Sequence, residues 1–165
     1  MTKSDDAVLA EEIEQWTAVL HESFTARRPG RRHNPLQPLA DALVSRMMQG
    51  AVRLSIMLAR TDRATSARDV AGSSAAVRSE LINHLNDEGK LLRNDELSDG
   101  YEVQGILFGG FRQSQLALIT VGIRAGGANQ AHISMRAVSK EGIIPQHVAR
   151  QAIQNLDEML SHIPA

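Results

Sequence analysis

The chain has no cysteine among its 165 residues. That excludes a disulfide framework, a thiolate zinc site, an iron–sulfur cluster and a cysteine nucleophile. Aromatic residues are only 3% of the total, too few to build a platform on which bases stack. No apolar run approaches the roughly 20 residues that span a bilayer, and the acidic start Met1–Asp6 does not read as a secretory leader. A soluble, cytoplasmic protein without a membrane partner is therefore expected.

The short motifs of catalysis and cofactor binding are missing too. There is no Gly-Lys-Ser/Thr, no Gly-x-Ser-x-Gly and no Ser-x-x-Lys. The pairs Gly109-Gly110 and Gly126-Gly127 precede strand-like sequence rather than a helix, so they read as turns and not as phosphate cradles. None of the six histidines has another two to four residues on. His84 with Asp87 or Glu88 has one-turn ligand spacing, but acids at a helix end read as solvated surface. The adjacent carboxylates Glu11/Glu12, Asp87/Glu88 and Asp157/Glu158 point about 100° apart on a helix and do not converge. His132, near Ser134 and Arg136 on one polar strand face, is the most site-like cluster left. No catalytic residue, metal or cofactor is expected; the chain reads as non-enzymatic, with an enzyme whose site is scattered over the fold as a further alternative.

What is present begins with 42% apolar and 22% charged residues, ordinary for one compact globular domain. The net charge of −1 conceals segregation. Residues 1–25 carry one lysine against six acids, net −5; residues 26–68 carry nine arginines against Asp41 and Asp62, net +7. Residues 69–102 return to −5 and residues 103–165 to +2. Fifteen of the eighteen basic residues are arginine, the side chain suited to bidentate anion contacts. The basic middle serves either an anionic partner or self-neutralisation within or between subunits.

The periodicity predicts a helix from about Asp5 to Phe24, with Ser4 as N-cap and Leu9, Ile13, Trp16, Leu20 and Phe24 in one stripe. A turn-rich basic linker follows over 26–35, containing Arg27, Arg28, Arg31, Arg32 and His33. A single domain then covers 36–165. It opens with a helix over Pro38–Met48 and continues, after Gly50, with alternation at Val52, Leu54, Ile56 and Leu58. That alternation favours a strand, although residues 51–60 also fit a continued helix. Residues 61–72 read as loop. Ser73 or Ser74 caps a helix to Glu88 with Val77, Leu81, Ile82 and Leu85 inward and Gly89 at its end. After a polar turn around Asp95–Gly100 come strands over Tyr101–Phe108, Leu116–Arg124 and Gln130–Val138. A last helix runs from about Pro145 to His162, striped by Val148, Ala152, Leu156, Met159, Leu160 and Ile163.

The expected fold is α+β, in the order α-α-β-α-β-β-β-α, with an antiparallel sheet of three to four strands covered by helices. In the last hairpin, a connection over Ala125–Asn129 pairs position i with 254 − i, which sets Ile123 against Ala131 and Ile119 against Met135 on one apolar face. Strand Leu116–Arg124 is apolar on both faces and needs cover on two sides.

The stretch Ala64–Val103 loosely resembles a winged helix-turn-helix, with Thr65–Ala71 as a short first helix, Ser74–Glu88 as recognition helix and Lys90–Val103 as wing. The resemblance would imply specific DNA binding. Its recognition helix, however, offers only Arg78, and its wing is acidic.

The functional expectation is a non-catalytic interaction or assembly protein, self-associating or binding another protein through Leu9, Ile13, Trp16, Leu20 and Phe24. The alternative is a nucleic-acid-associated protein that holds a phosphate backbone with Arg27, Arg28, Arg31, Arg32 and His33.

Overall fold

A computed structural model describes residues 4–26, 59–109, 115–127, 129–141 and 146–163. The expected helix over 38–48, the ambiguous run 51–58 and the Arg27–His33 loop lie outside the described residues. The chain divides into two compact units, Met1–Ala59 and Arg60–Ala165.

In the first unit, α1 spans Asp5–Ala26. The Ser4 carbonyl accepts from the Ala7 and Val8 amides, and the Ala7 amide also donates to Ser4 Oγ at 3.4 Å. Asp5 and Asp6 lie in the first turn, where negative charge favours the helix start. Of the expected stripe, Leu9 is fully buried and Ile13 and Trp16 are half-buried. The side chains of Leu20 and Phe24 lie outside the described residues.

The second unit contains β1 (Arg60–Ala71), α2 (Ser74–Glu88), β2 (Gly89–Leu97), β3 (Gly100–Gly109), β4 (Gln115–Gly127), β5 (Gln130–Glu141) and α3 (Val148–Ser161). The five strands form one antiparallel sheet in the order β1-β5-β4-β3-β2. The α+β class and the helix-covered antiparallel sheet stand as expected, but with five strands rather than three to four.

The extra strands come from segments with no apolar alternation. Residues 61–72, expected as loop, form most of β1, which pairs with β5 along its whole length from Arg60↔Glu141 to Ala71↔Gln130. Its helix-facing positions are mostly polar and are tied to α3 by side-chain bonds rather than by oil. Arg68 Nη1 donates to the Asp157 carbonyl at 3.1 Å, and Ser66 Oγ donates to the Asp157 carboxylate at 3.4 Å. Because Thr65–Ala71 is strand, the winged helix-turn-helix resemblance loses its first helix. Arg78, its only cationic reader, lies 4.6 Å over the Tyr101 ring and donates from Nε to Asn94 Oδ1 at 2.9 Å.

Likewise, β2 starts at Gly89 directly after α2 and runs through the first half of the expected polar turn, to Leu97. The sharp exit requires glycine, since a Cβ on Gly89 would lie 2.0 Å from the Ile106 carbonyl oxygen. α2 itself starts as expected, capped by Ser73 Oγ, which accepts from the Ala76 amide at 3.2 Å. Its stripe Val77, Leu81 and Leu85 is fully buried.

The last hairpin keeps its faces but not its pairing. Ile123 opposes Ile133, Val121 opposes Met135 and Ile119 opposes Ala137, a slip of two residues from the expected register. The strands run closer to the turn than expected. A bulge between Ala125 and Gly127, with Asn129 at φ 60°, absorbs the odd residue and preserves which side chains point inward. A slip of two leaves both faces intact, so apolar patterning could not tell the two registers apart.

One sheet face carries both helices, α2 over β2 and β3 and α3 over β1 and β5. Their shared core includes Val103, Ile119, Val121, Ile133, Met135, Leu156 and Leu160, all nearly or fully buried. Leu116 and Leu118 on the opposite face of β4 are buried as well. Met159 and Ile163 pack at the margin of the core.

Candidate functional site

α2 and α3 do not close fully over the sheet. Between them lies a cavity of about 380 Å³, within the lower range of small-ligand sites. Leu107 and Phe108 of β3 and Ala117 of β4 form its floor, and Val148, Ala152 and Met159 of α3 extend the apolar wall. The mouth is polar: His84 and Glu88 on α2 face Gln151, Asn155 and Glu158 on α3 and His162 at its C-terminal cap.

The helical repeat places these groups. Val148, Gln151, Ala152, Asn155, Met159 and His162 recur at three- and four-residue steps along one side of α3, next to the core stripe Ala149, Ala152, Ile153, Leu156 and Leu160. The same helix therefore seals the core with one stripe and lines the cavity with its neighbour. His84 and Glu88 are one turn apart on α2 and share a side.

His162 Nδ1 lies 2.7 Å from the Glu158 carbonyl oxygen, which only accepts, so Nδ1 is the donor in this bond. The mouth thus offers carboxylates and imidazoles, and no lysine or arginine lines it among the described residues.

His84 and Glu88, which have ligand spacing in the sequence, do reach this mouth, whereas Asp87 does not. No three of the acidic and imidazole groups there converge on a shared ion. His132 is elsewhere. It lies at the other end of the sheet's polar face, exposed, with Nδ1 2.8 Å from the Asp69 carboxylate across the β1–β5 pair. Ser134 and Arg136 follow on the same face of β5, and none of the three lines the cavity.

A different group does converge. Asp62, Glu141 and His147 bring one ligand atom each to within 4.8 Å of one another at the start of α3. Sequence reading missed it because Asp62 falls in a segment without strand periodicity, and only the β1–β5 register sets it beside Glu141. Glu141 is 2% exposed, and its Oε1 accepts from the Val148 amide at 3.1 Å. Asp62 Oδ2 accepts from the Ala149 amide at 3.1 Å. Both carboxylates thereby satisfy amides that the first turn of a helix leaves open.

No protein-family model matches the sequence, and no curated protein resembles it significantly. Solved structures show distant likeness. A conserved protein of unknown function from Enterococcus faecalis aligns at 12% identity and a TM-score of 0.38, over 61% of this chain and 70% of that one. Truncated norcoclaurine synthase from Thalictrum flavum aligns at 12% identity and a TM-score of 0.37, over 62% and 92%. A START superfamily protein from Mycobacterium smegmatis aligns at 10% identity and a TM-score of 0.38, over 61% and 94%. Likeness at this level carries no argument about function.

Proposed function

We propose that this chain is a non-catalytic binding protein that holds a small amphiphilic molecule in the cavity between α2 and α3. The carrying observation is the cavity itself, with Leu107, Ala117, Val148 and Ala152 in its depth and Glu88, Glu158, His84 and His162 around its mouth. An apolar body gains by leaving water against that floor. Two carboxylates, with no lysine or arginine among the described residues that line the cavity, favour a cationic or hydrogen-bond-donating head over an anionic one.

The test is a fluorescence titration with neutral N-phenyl-1-naphthylamine, followed by competition with decylamine and with decanoate. Saturable binding at one site, displaced by the amine at lower concentration than by the acid, is expected. The variant Asn155→Trp should weaken probe affinity at least tenfold, because Asn155 is an exposed mouth residue and the indole would fill the entrance without touching the core. No saturable binding, or equal affinity in the variant, refutes the reading.

A second reading keeps the interaction expected of the N-terminal helix, with a partner protein or a second copy docking on α1. It is favoured by the half-buried Ile13 and Trp16 and by Val19, which is 60% exposed. Solution mass and partner capture should both change in Trp16→Ala/Val19→Asp. Unchanged mass and affinity reject this reading.

A further inference from the structure

We propose that Asp62, Glu141 and His147 form a binding site for one divalent transition-metal cation of the Zn²⁺ type at the start of α3.

Charge at this place is out of balance. Two carboxylates lie close together and Glu141 is almost wholly buried. Among the described residues neither is paired with an arginine or lysine. The amides of Val148 and Ala149 and the helix end supply only about half a positive charge against two negative ones. A buried excess of negative charge calls for a cation.

A buried hydroxyl on the same sheet face is unsatisfied as well. Ser139 is 0% exposed, and its Oγ has no hydrogen-bond partner. Ser139 is the cross-strand partner of Asp62, so the two side chains leave the same face about 5 Å apart. Glu141 is two residues further along β5 and also shares that face. The hydroxyl therefore shares a sheet face with the two carboxylates. A buried hydroxyl without a partner is costly, and a water held by a metal ion at this site would satisfy it.

The donor set suits the ion. Asp62 and Glu141 each spend one oxygen on a helix amide, leaving the other oxygen for the metal. His147 contributes an imidazole from a left-handed backbone position, φ 54° and ψ 42°, without making a side-chain cap bond. One imidazole with carboxylates suits Zn²⁺ better than Ca²⁺, which prefers an all-oxygen shell. Ligand atoms spaced up to 4.8 Å need to contract by about an ångström around Zn²⁺, whose bonds are about 2.0–2.2 Å. Such an ion would clamp α3 to β1 and β5.

The test uses the full chain stripped of metal, titrated calorimetrically with Zn²⁺ and with Ca²⁺, in wild type and two variants. Asp62→Asn keeps the acceptor for the Ala149 amide. His147→Gly removes the imidazole at a backbone position glycine adopts freely, so both variants should fold. One Zn²⁺ per chain is expected, with affinity at least tenfold weaker in each variant and Ca²⁺ not bound. Zn²⁺ should raise the melting temperature of the wild type but not of the variants. Absence of saturable Zn²⁺ uptake overturns the proposal. So does an affinity that either variant leaves within twofold of wild type, which would place the metal on other histidines.

Discussion

Replacing Gly105 with alanine should loosen the seat of α2 on the sheet. A Cβ at this position would come within 2.8 Å of both Leu85 methyl carbons and 2.9 Å of the Lys90 carbonyl oxygen. Relaxed carbon–carbon contacts are about 3.5–4.0 Å, so Leu85 must retreat by about an ångström, and Lys90 belongs to backbone that cannot rotate away. Leu85 is fully buried in the core, where close packing resists its displacement. Overpacking of this kind costs about 1–3 kcal/mol. Truncation of Leu85 to alanine on its own costs about 2–5 kcal/mol through lost burial and a cavity.

Combining the two should cost less than their sum, because the shortened side chain makes room for the new methyl. The expected coupling is about 1 kcal/mol, limited by the Lys90 contact that persists. Urea unfolding monitored by circular dichroism, with equal slopes across the four proteins, reads the cycle. Gly105→Ala within 0.5 kcal/mol of wild type, or strict additivity in the double variant, would refute this account of how α2 is held. The same displacement moves His84 and Glu88, so Gly105→Ala should also weaken probe binding in the cavity.

Leu156→Ala, which removes a fully buried side chain from the centre of α3, should cost about 2–5 kcal/mol in urea unfolding. Ser73→Ala removes the acceptor of the Ala76 amide and should cost about 1 kcal/mol, with Ser73→Gly costing less; equal stability of all three proteins would deny the cap a role. For the nucleic-acid alternative, labelled duplex titrated across salt concentrations compares wild type with Arg27→Ala/Arg28→Ala/Arg31→Ala/Arg32→Ala. Four lost phosphate contacts should flatten the log–log salt slope by about 3.6. Absence of binding at low salt removes that alternative.

The sequence by itself determined the elements whose chemistry is local. Ser73 and Val77, Leu81 and Leu85 specify α2, since a capping hydroxyl and a one-sided apolar stripe act within a few turns of the same helix. The apolar alternation of Gln130–Val138 and the stripe of α3 were legible for the same reason, as was the need to cover both faces of β4. Tertiary structure alone decided the rest. β1 is a strand because β5 offers it a full ladder and α3 offers partners to its polar side chains, and neither is visible from Arg60–Ala71. The hairpin register depends on a bulge beside Gly126, to which a period of two is blind when the slip is even. The cavity exists only where two helices fail to meet. Asp62, Glu141 and His147 come together only through cross-strand pairing and the first turn of α3, because proximity between residues distant in the chain is a property of the fold.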